Sequence, residues 1–141
     1  MVDNISREER SAQMAKIHSK NTKPEKIVRS ILFRMGYRFR ICQTGLPGKP
    51  DIVLKKHRSV IFVHGCFWHG HDNCKNARIP KSNVEFWTNK IKRNQERFAE
   101  VKHQLELEGW KVFVIWECEL KKNAIEETMQ KLVSQIQQYN I

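Results

Sequence analysis

Apolar patterning predicts an α/β domain, a mixed central sheet flanked by helices. Within Ser59 to Val63 and Trp110 to Trp116, the runs Val60 to Val63 and Val112 to Trp116 are apolar on consecutive positions, which suits strands covered on both faces. A helical pattern from Ser82 to Gly109 joins these runs, and a helical crossover sets strands parallel. The polar turn Lys55-Lys56-His57-Arg58 joins Ile52-Val53-Leu54 to the first run as a hairpin, adding an antiparallel pairing.

Ser6 with Glu9 reads as a capping box for a weakly amphipathic, very basic helix carrying Ala12, Met14, Ala15 and Ile17 and ending near Ser19. Thr22-Lys23-Pro24-Glu25 opens a second helix, whose Ile27, Val28, Ile31, Leu32 and Met35 share one face until Gly36 stops it. Tyr37 to Ile41 alternates with period two, predicting a strand that the turn Leu46-Pro47-Gly48-Lys49-Pro50 must break, so Asp51 opens the next. Segment 64–83 has neither period, and a structureless loop of that length needs something to order it. Ser82 with Glu85 caps the long helix of Trp87, Ile91, Phe98, Val101 and Leu105, and Asn123 with Glu126 caps a final helix reaching about residue 138. The expected order is α, α, β, β, β, α, β, α in a single domain over 1–141, with the basic helix in 1–20 and the core in 21–141.

Forty per cent hydrophobic residues and four Trp support a packed interior and exclude wholesale disorder. The longest apolar runs fall far short of the roughly 18 to 20 residues of a membrane span. Glu8, Glu9 and Glu25 interrupt a start without any apolar stretch, which argues against a secretory signal and for a cytoplasmic protein with reduced cysteines. Against 15 Asp+Glu stand 26 Lys+Arg, a net charge of +11. That balance points to nucleic acid, although anionic membranes and acidic proteins are attracted by the same surface.

Three groupings carry chemistry. Cys66, His71 and Cys74 in the aperiodic loop, with Cys118 beyond the last strand, offer the four ligands of a structural Zn²⁺ site, against the alternative of ordinary buried thiols and loop histidines. Cys42, His64 and His69 fall outside that set. The hairpin brings Asp51 near His64 on neighbouring strands: a carboxylate can hold Mg²⁺ against a phosphate and a histidine can move a proton, yet Pro-Asp alone is also a common turn. Phe67 and Trp68, with Trp87 on the following helix, form either a satellite cluster covering the loop or a wedge that enters a base stack beside Lys75, Arg78, Lys81, Lys90, Lys92, Arg93 and Arg97. The run from 90 to 97 is by itself what a solvated helix face looks like.

Leu46-Pro47-Gly48-Lys49-Pro50-Asp51, then Val60 to His69 as Val-Ile-Phe-Val-His-Gly-Cys-Phe-Trp-His, then Glu85-Phe86-Trp87 and Trp116-Glu117-Cys118 resemble the very short patch repair (Vsr) DNA mismatch endonucleases over roughly residues 6 to 120. The resemblance implies a restriction-endonuclease-like fold with a structural zinc site, and Mg²⁺-dependent nicking of one DNA strand 5′ to the thymine of a T:G mismatch, the product of 5-methylcytosine deamination. It assigns Asp51 and the backbone carbonyl of Val63 to Mg²⁺, His69 to the general base or proton donor, and Glu25 and His64 to orienting water at the metal. Cys66, His71, Cys74 and Cys118 take the zinc positions; the stretch to Cys74 is one residue longer than the family's, which sets His69 against His71 for one of them. Phe67, Trp68 and Trp87 match the wedging aromatics, Met14 a residue entering from the opposite groove, and Lys90 and Asn94 positions near the mismatched pair.

Phe98 departs from the family by standing where an Asp is frequent, and Val63-His64-Gly65 replaces the acid-x-Lys of general restriction enzymes as the mismatch branch does. Partners implied are double-stranded DNA with a T:G mismatch, the mismatch-repair protein MutL and a DNA cytosine-5 methyltransferase, for a monomer working at the nucleoid of a prokaryotic cytoplasm without a membrane. Two other readings stay open: a general or restriction-type endonuclease, and a non-catalytic zinc-containing DNA-binding module.

Overall fold

The computed structural model describes residues 22–41 and 45–138. The basic N-terminal helix with Met14, and Cys42, lie outside them. Helix α1 (Lys23–Arg34) starts as its sequence dictates: Thr22 is extended, its hydroxyl accepts from the Glu25 N–H, and Pro24 occupies the first turn. Gly36, at φ +93°, turns the chain out of the helix.

Strand β1 (Ile52–Leu54) pairs antiparallel with β2 (Ser59–His64), which pairs parallel with β3 (Lys111–Trp116), so the sheet is mixed with order β1-β2-β3. Helix α2 (Val84–Leu107) makes the crossover between β2 and β3, and α3 (Ile125–Gln138) follows them.

Strand pleating divides the core. Ile52, Leu54, Ile61 and Ile115 pack with Val28 and Leu32 of α1 and with Met129, Leu132, Val133 and Ile136 of α3. The alternate positions, Val53, Val60 and Phe62, pack with Leu105, Phe98 and Val101 of α2. The sheet therefore lies between α1 and α3 on one side and α2 on the other. His64 continues the Phe62 side and meets α2, with its ring centroid 4.5 Å from that of Phe98.

Two sequence expectations need correction. The strand expected over Tyr37–Ile41 is a single bridge, Arg40 exchanging both backbone hydrogen bonds with Val53 at 2.9 Å. Tyr37 and Phe39 do pack inward, so the alternation reports burial, but β1 has only three residues with which a ladder could form. Ser82 does not cap α2: Asn83 holds that place in the left-handed region (φ 58°, ψ 41°), a conformation Asn tolerates, without a capping side-chain bond.

Candidate active site and metal centre

The antiparallel ladder ends at Ile52↔Ile61, and extending its register sets Pro50, which has no N–H, opposite Val63. The Asp51 side chain takes over there: its Oδ2 accepts from the Val63 N–H at 2.7 Å. Glu25, delivered by the first turn of α1 and 7% exposed, hydrogen-bonds the Asp51 carboxyl. Burial pushes Asp51 up to about 7; the Val63 N–H pulls the other way, and the Glu25 charge adds to the rise. Two carboxyl groups this close and this poorly hydrated suit a hard divalent cation, which would favour the charged form of Asp51. Val63, the residue whose N–H meets Asp51, lines the same groove as the two carboxyls.

His64 and His69 stack face to face, centroids 3.7 Å apart and planes within 2°. Burial, and for His64 the neighbouring His69, lowers both: His64 falls to about 3 and His69 below its ordinary value. Both shifts favour the neutral ring, and the Nδ1 of each is buried without a hydrogen-bond partner among the described residues. Phe98 presents an edge to His64 and can offer it no acceptor. Glu25, Asp51, His64 and His69 line one groove of about 770 Å³ with Trp68, Phe86, Trp87, Lys49, Lys90 and Arg97. Acid, imidazole, aromatic and cationic groups thus share one concavity.

Phe67, Trp68 and Trp87 form a mutual edge-to-face triangle with centroids 5.3, 5.3 and 5.9 Å apart, and Phe86 adds a fourth ring 5.1 Å from Trp87. Phe86, 55% exposed, is a neighbour the sequence reading quoted without a role. Lys90 is exposed on α2, whereas the Asn94 amide nitrogen donates to the Trp68 carbonyl at 2.9 Å.

The second grouping is compact. The ligand atoms of Cys66, His71, Cys74 and Cys118 lie within 4.8 Å of one another, with Cys118 Sγ 3.4 Å from His71 Nδ1. A zinc tetrahedron with bonds of about 2.0–2.3 Å has edges of about 3.3–3.8 Å, so small movements would close it. Burial and the adjoining thiols push Cys66 up to about 12; bound Zn²⁺ reverses that preference by holding thiolates. This Cys3His cluster could hold zinc, and it takes His71, while His69 faces the groove. Trp116 stands between the two groups, stacked on His71 (4.0 Å, 7°) and edge-on to His64 (5.2 Å, 79°). From sequence Trp116 belongs to the Trp116-Glu117-Cys118 segment without a role of its own, and Gln95, which donates to the His69 carbonyl at 3.0 Å, carries no signal; a partner that is a backbone carbonyl or a ring face leaves no motif.

A family model described as DNA mismatch endonuclease Vsr matches residues 2–76. The chain is 51% identical to the type II nicking enzyme V.NmeAIP of Neisseria meningitidis serogroup A over 96% of its own length and 97% of that protein's. It is 46% identical to the type II nicking enzyme V.XorIIP of Xanthomonas oryzae over 94% of its length and 98% of the relative's. Identity to the DNA mismatch endonuclease Vsr of Escherichia coli is 40%, over 86% of this chain and 77% of that one. Among solved structures, the catalytic domain of a homing endonuclease superposes with a TM-score of 0.50 at 26% identity, covering 84% of this chain and 94% of that domain. That likeness, the mixed sheet between helices and the Cys/His cluster fit the restriction-endonuclease-like fold. With matches of this extent carried through the very segments that build the groove and the cluster, the chain belongs to the Vsr DNA mismatch endonuclease family.

Proposed function

We propose that this endonuclease nicks one strand of duplex DNA 5′ to the thymine of a T:G mismatch, with Mg²⁺ at Asp51 and zinc in the Cys66/His71/Cys74/Cys118 cluster. The observation that carries the reading is the groove itself, where an aromatic cluster adjoins a carboxyl pair and two imidazoles. A wobble pair stacks less well than a Watson–Crick pair, so a wedge of Phe67, Trp68 and Trp87 enters that step at lower cost than a matched one. Lys90, with Asn94 beside it on α2, faces the mismatched pair, and Met14 approaches from the opposite groove. The +11 chain adds sequence-independent, salt-sensitive attraction to phosphates.

Asp51 and the Val63 carbonyl would hold Mg²⁺, which when bound supplies Lewis-acid polarisation of the scissile phosphate. Glu25 and His64 orient water within the groove. His69 is the general base or proton donor: burial lowers its pKa and so favours the neutral ring, the form that can accept a proton. In the cell we place the chain in the prokaryotic cytoplasm at the nucleoid, as a monomer beside a DNA cytosine-5 methyltransferase and MutL.

The test is a gel assay on labelled duplexes, one with T:G and one with T:A, with Mg²⁺ or with EDTA, using wild type and Asp51→Ala. Mg²⁺-dependent nicking of the thymine strand of the mismatched duplex alone, absent in Asp51→Ala, is the expected result. Equal cutting of both duplexes would establish a general endonuclease. Binding without cutting would establish a non-catalytic module.

A further inference from the structure

We propose that Gln95, with Asn94 beside it, is a positioning residue: two side-chain amides of α2 clasp consecutive backbone carbonyls of the loop, at the residues that carry the wedge ring and the proton-handling imidazole. The proposal rests on the mismatch-nicking reading for what those rings do, but not for the clasp.

Asn94 Nδ2 donates to the Trp68 carbonyl at 2.9 Å, and Gln95 Nε2 donates to the His69 carbonyl at 3.0 Å and to that of Gly70 at 3.4 Å. The contact is close on the backbone side too. A Cβ on Gly70, itself at φ +60°, would lie 2.6 Å from Gln95 Nε2 and 2.7 Å from Ile91 Cγ2, so only glycine lets the loop lie this near the helix. The loop's own bonds, His69 N–H to Gly65, Gly70 N–H to Phe67 and His71 N–H to Cys66, shape it internally without attaching it to α2. Gln95 is exposed, so its side chain contributes little to the core, and what it fixes is the placement of residues 68 to 70 over the helix. Reaction rates are steep in such placement, since about 1 Å of error at a catalytic group can cost on the order of a hundredfold.

The experiment uses the zinc-loaded full chain with three readouts: saturating single-turnover nicking of a T:G duplex, duplex Kd, and hydrogen exchange of the His69, Gly70 and His71 amides without DNA. Gln95→Met, of similar length, neutral and without a donor, is expected to slow saturating nicking about three- to tenfold, as befits one lost neutral hydrogen bond. Exchange of the three amides should quicken by a similar factor, with Kd within about twofold of wild type and zinc content unchanged. Gln95→Lys, which keeps a donor, should restore the rate. Gln95→Met matching wild type in rate and exchange would overturn the proposal. So would a rate loss that tracks zinc loss and general unfolding, or a Gln95→Lys variant as slow as Gln95→Met. If wild type cuts T:G and T:A duplexes alike, the mismatch reading fails while amide exchange still decides the clasp.

Discussion

One loop serves two sites of opposite chemistry. Cys66, His71 and Cys74 turn to the cluster that Cys118 completes, while His64 and His69 turn to the groove of Asp51 and Glu25. Along the chain the assignments alternate: 64 to the groove, 66 to the cluster, 69 to the groove, 71 to the cluster. The cluster is soft and closed, three sulfurs and a nitrogen with no position left for substrate. The groove is hard, open and lined by cations, with oxygen donors at its carboxyl pair. The comparison teaches that metal type is sorted by ligand chemistry, and that the closed site can shape the segment from which the open one takes His69. Trp116, stacked on His71 and edge-on to His64, is the packed contact between them.

Breaking the open site should leave the closed one intact. Asp51→Ala is expected to lower nicking by about a thousandfold or more, the scale of losing a bound cation's charge stabilisation, with zinc content intact; single-turnover assays beside metal analysis check both. Breaking the closed site should affect both sites. Cys118→Ser is expected to release zinc, to lower Tm by more than about 10 °C as several kcal/mol of metal-linked folding energy is lost, and to lower nicking as a consequence. Calorimetry and zinc analysis measure this outcome, and full activity in zinc-free protein would separate the two sites.

Smaller perturbations sharpen the same contrast. Trp68→Ala should reduce discrimination between T:G and T:A duplexes by about ten- to a hundredfold, the value of one stacked ring, without disturbing either metal site. Equal weakening on both duplexes would remove the wedge role.

Asp51 supplies a pH test. Its ordinary value of 3.8 is raised to about 7 by burial in the fold, so the folded state binds this proton more tightly than the unfolded one. The corresponding stability is complete below the unfolded value and is lost as pH rises through 7. Without Mg²⁺, wild type should therefore lose stability relative to Asp51→Asn between about pH 4 and pH 7 in urea denaturation, and added Mg²⁺ should cancel the loss. The depressed His64 and His69 act with the opposite sign, but both proteins carry them, so the difference isolates Asp51. Lys90→Ala should do least: a salt-dependence slope of duplex binding shallower by about one.

The helices and the hairpin were legible because their signals are local. Thr22 and Pro24 open α1, the polar turn 55–58 joins β1 to β2, and the consecutive apolar positions of β2 and β3 mark a sheet covered on both sides. Asp51 was legible as an acid set near His64 by the hairpin that follows the turn 46–50, and the cysteines by their spacing. The bridge at Arg40 was not, because whether an alternating segment becomes a strand depends on how many partners the neighbouring strand offers. Nor was the left-handed Asn83, which took the cap position from Ser82.

By itself the sequence determined the fold class, the basic surface, the family and the inventory of ligands, since composition, period and motif are properties of neighbours along the chain. Only the tertiary structure decided that His71 joins the thiols while His69 stacks on His64, and that Asn94 and Gln95 grip the loop between them. The physical reason is that both histidines are chemically alike and nearly adjacent. Which metal or proton each can serve depends on where the loop backbone is pinned, and the groups that pin it come from a helix more than twenty residues away.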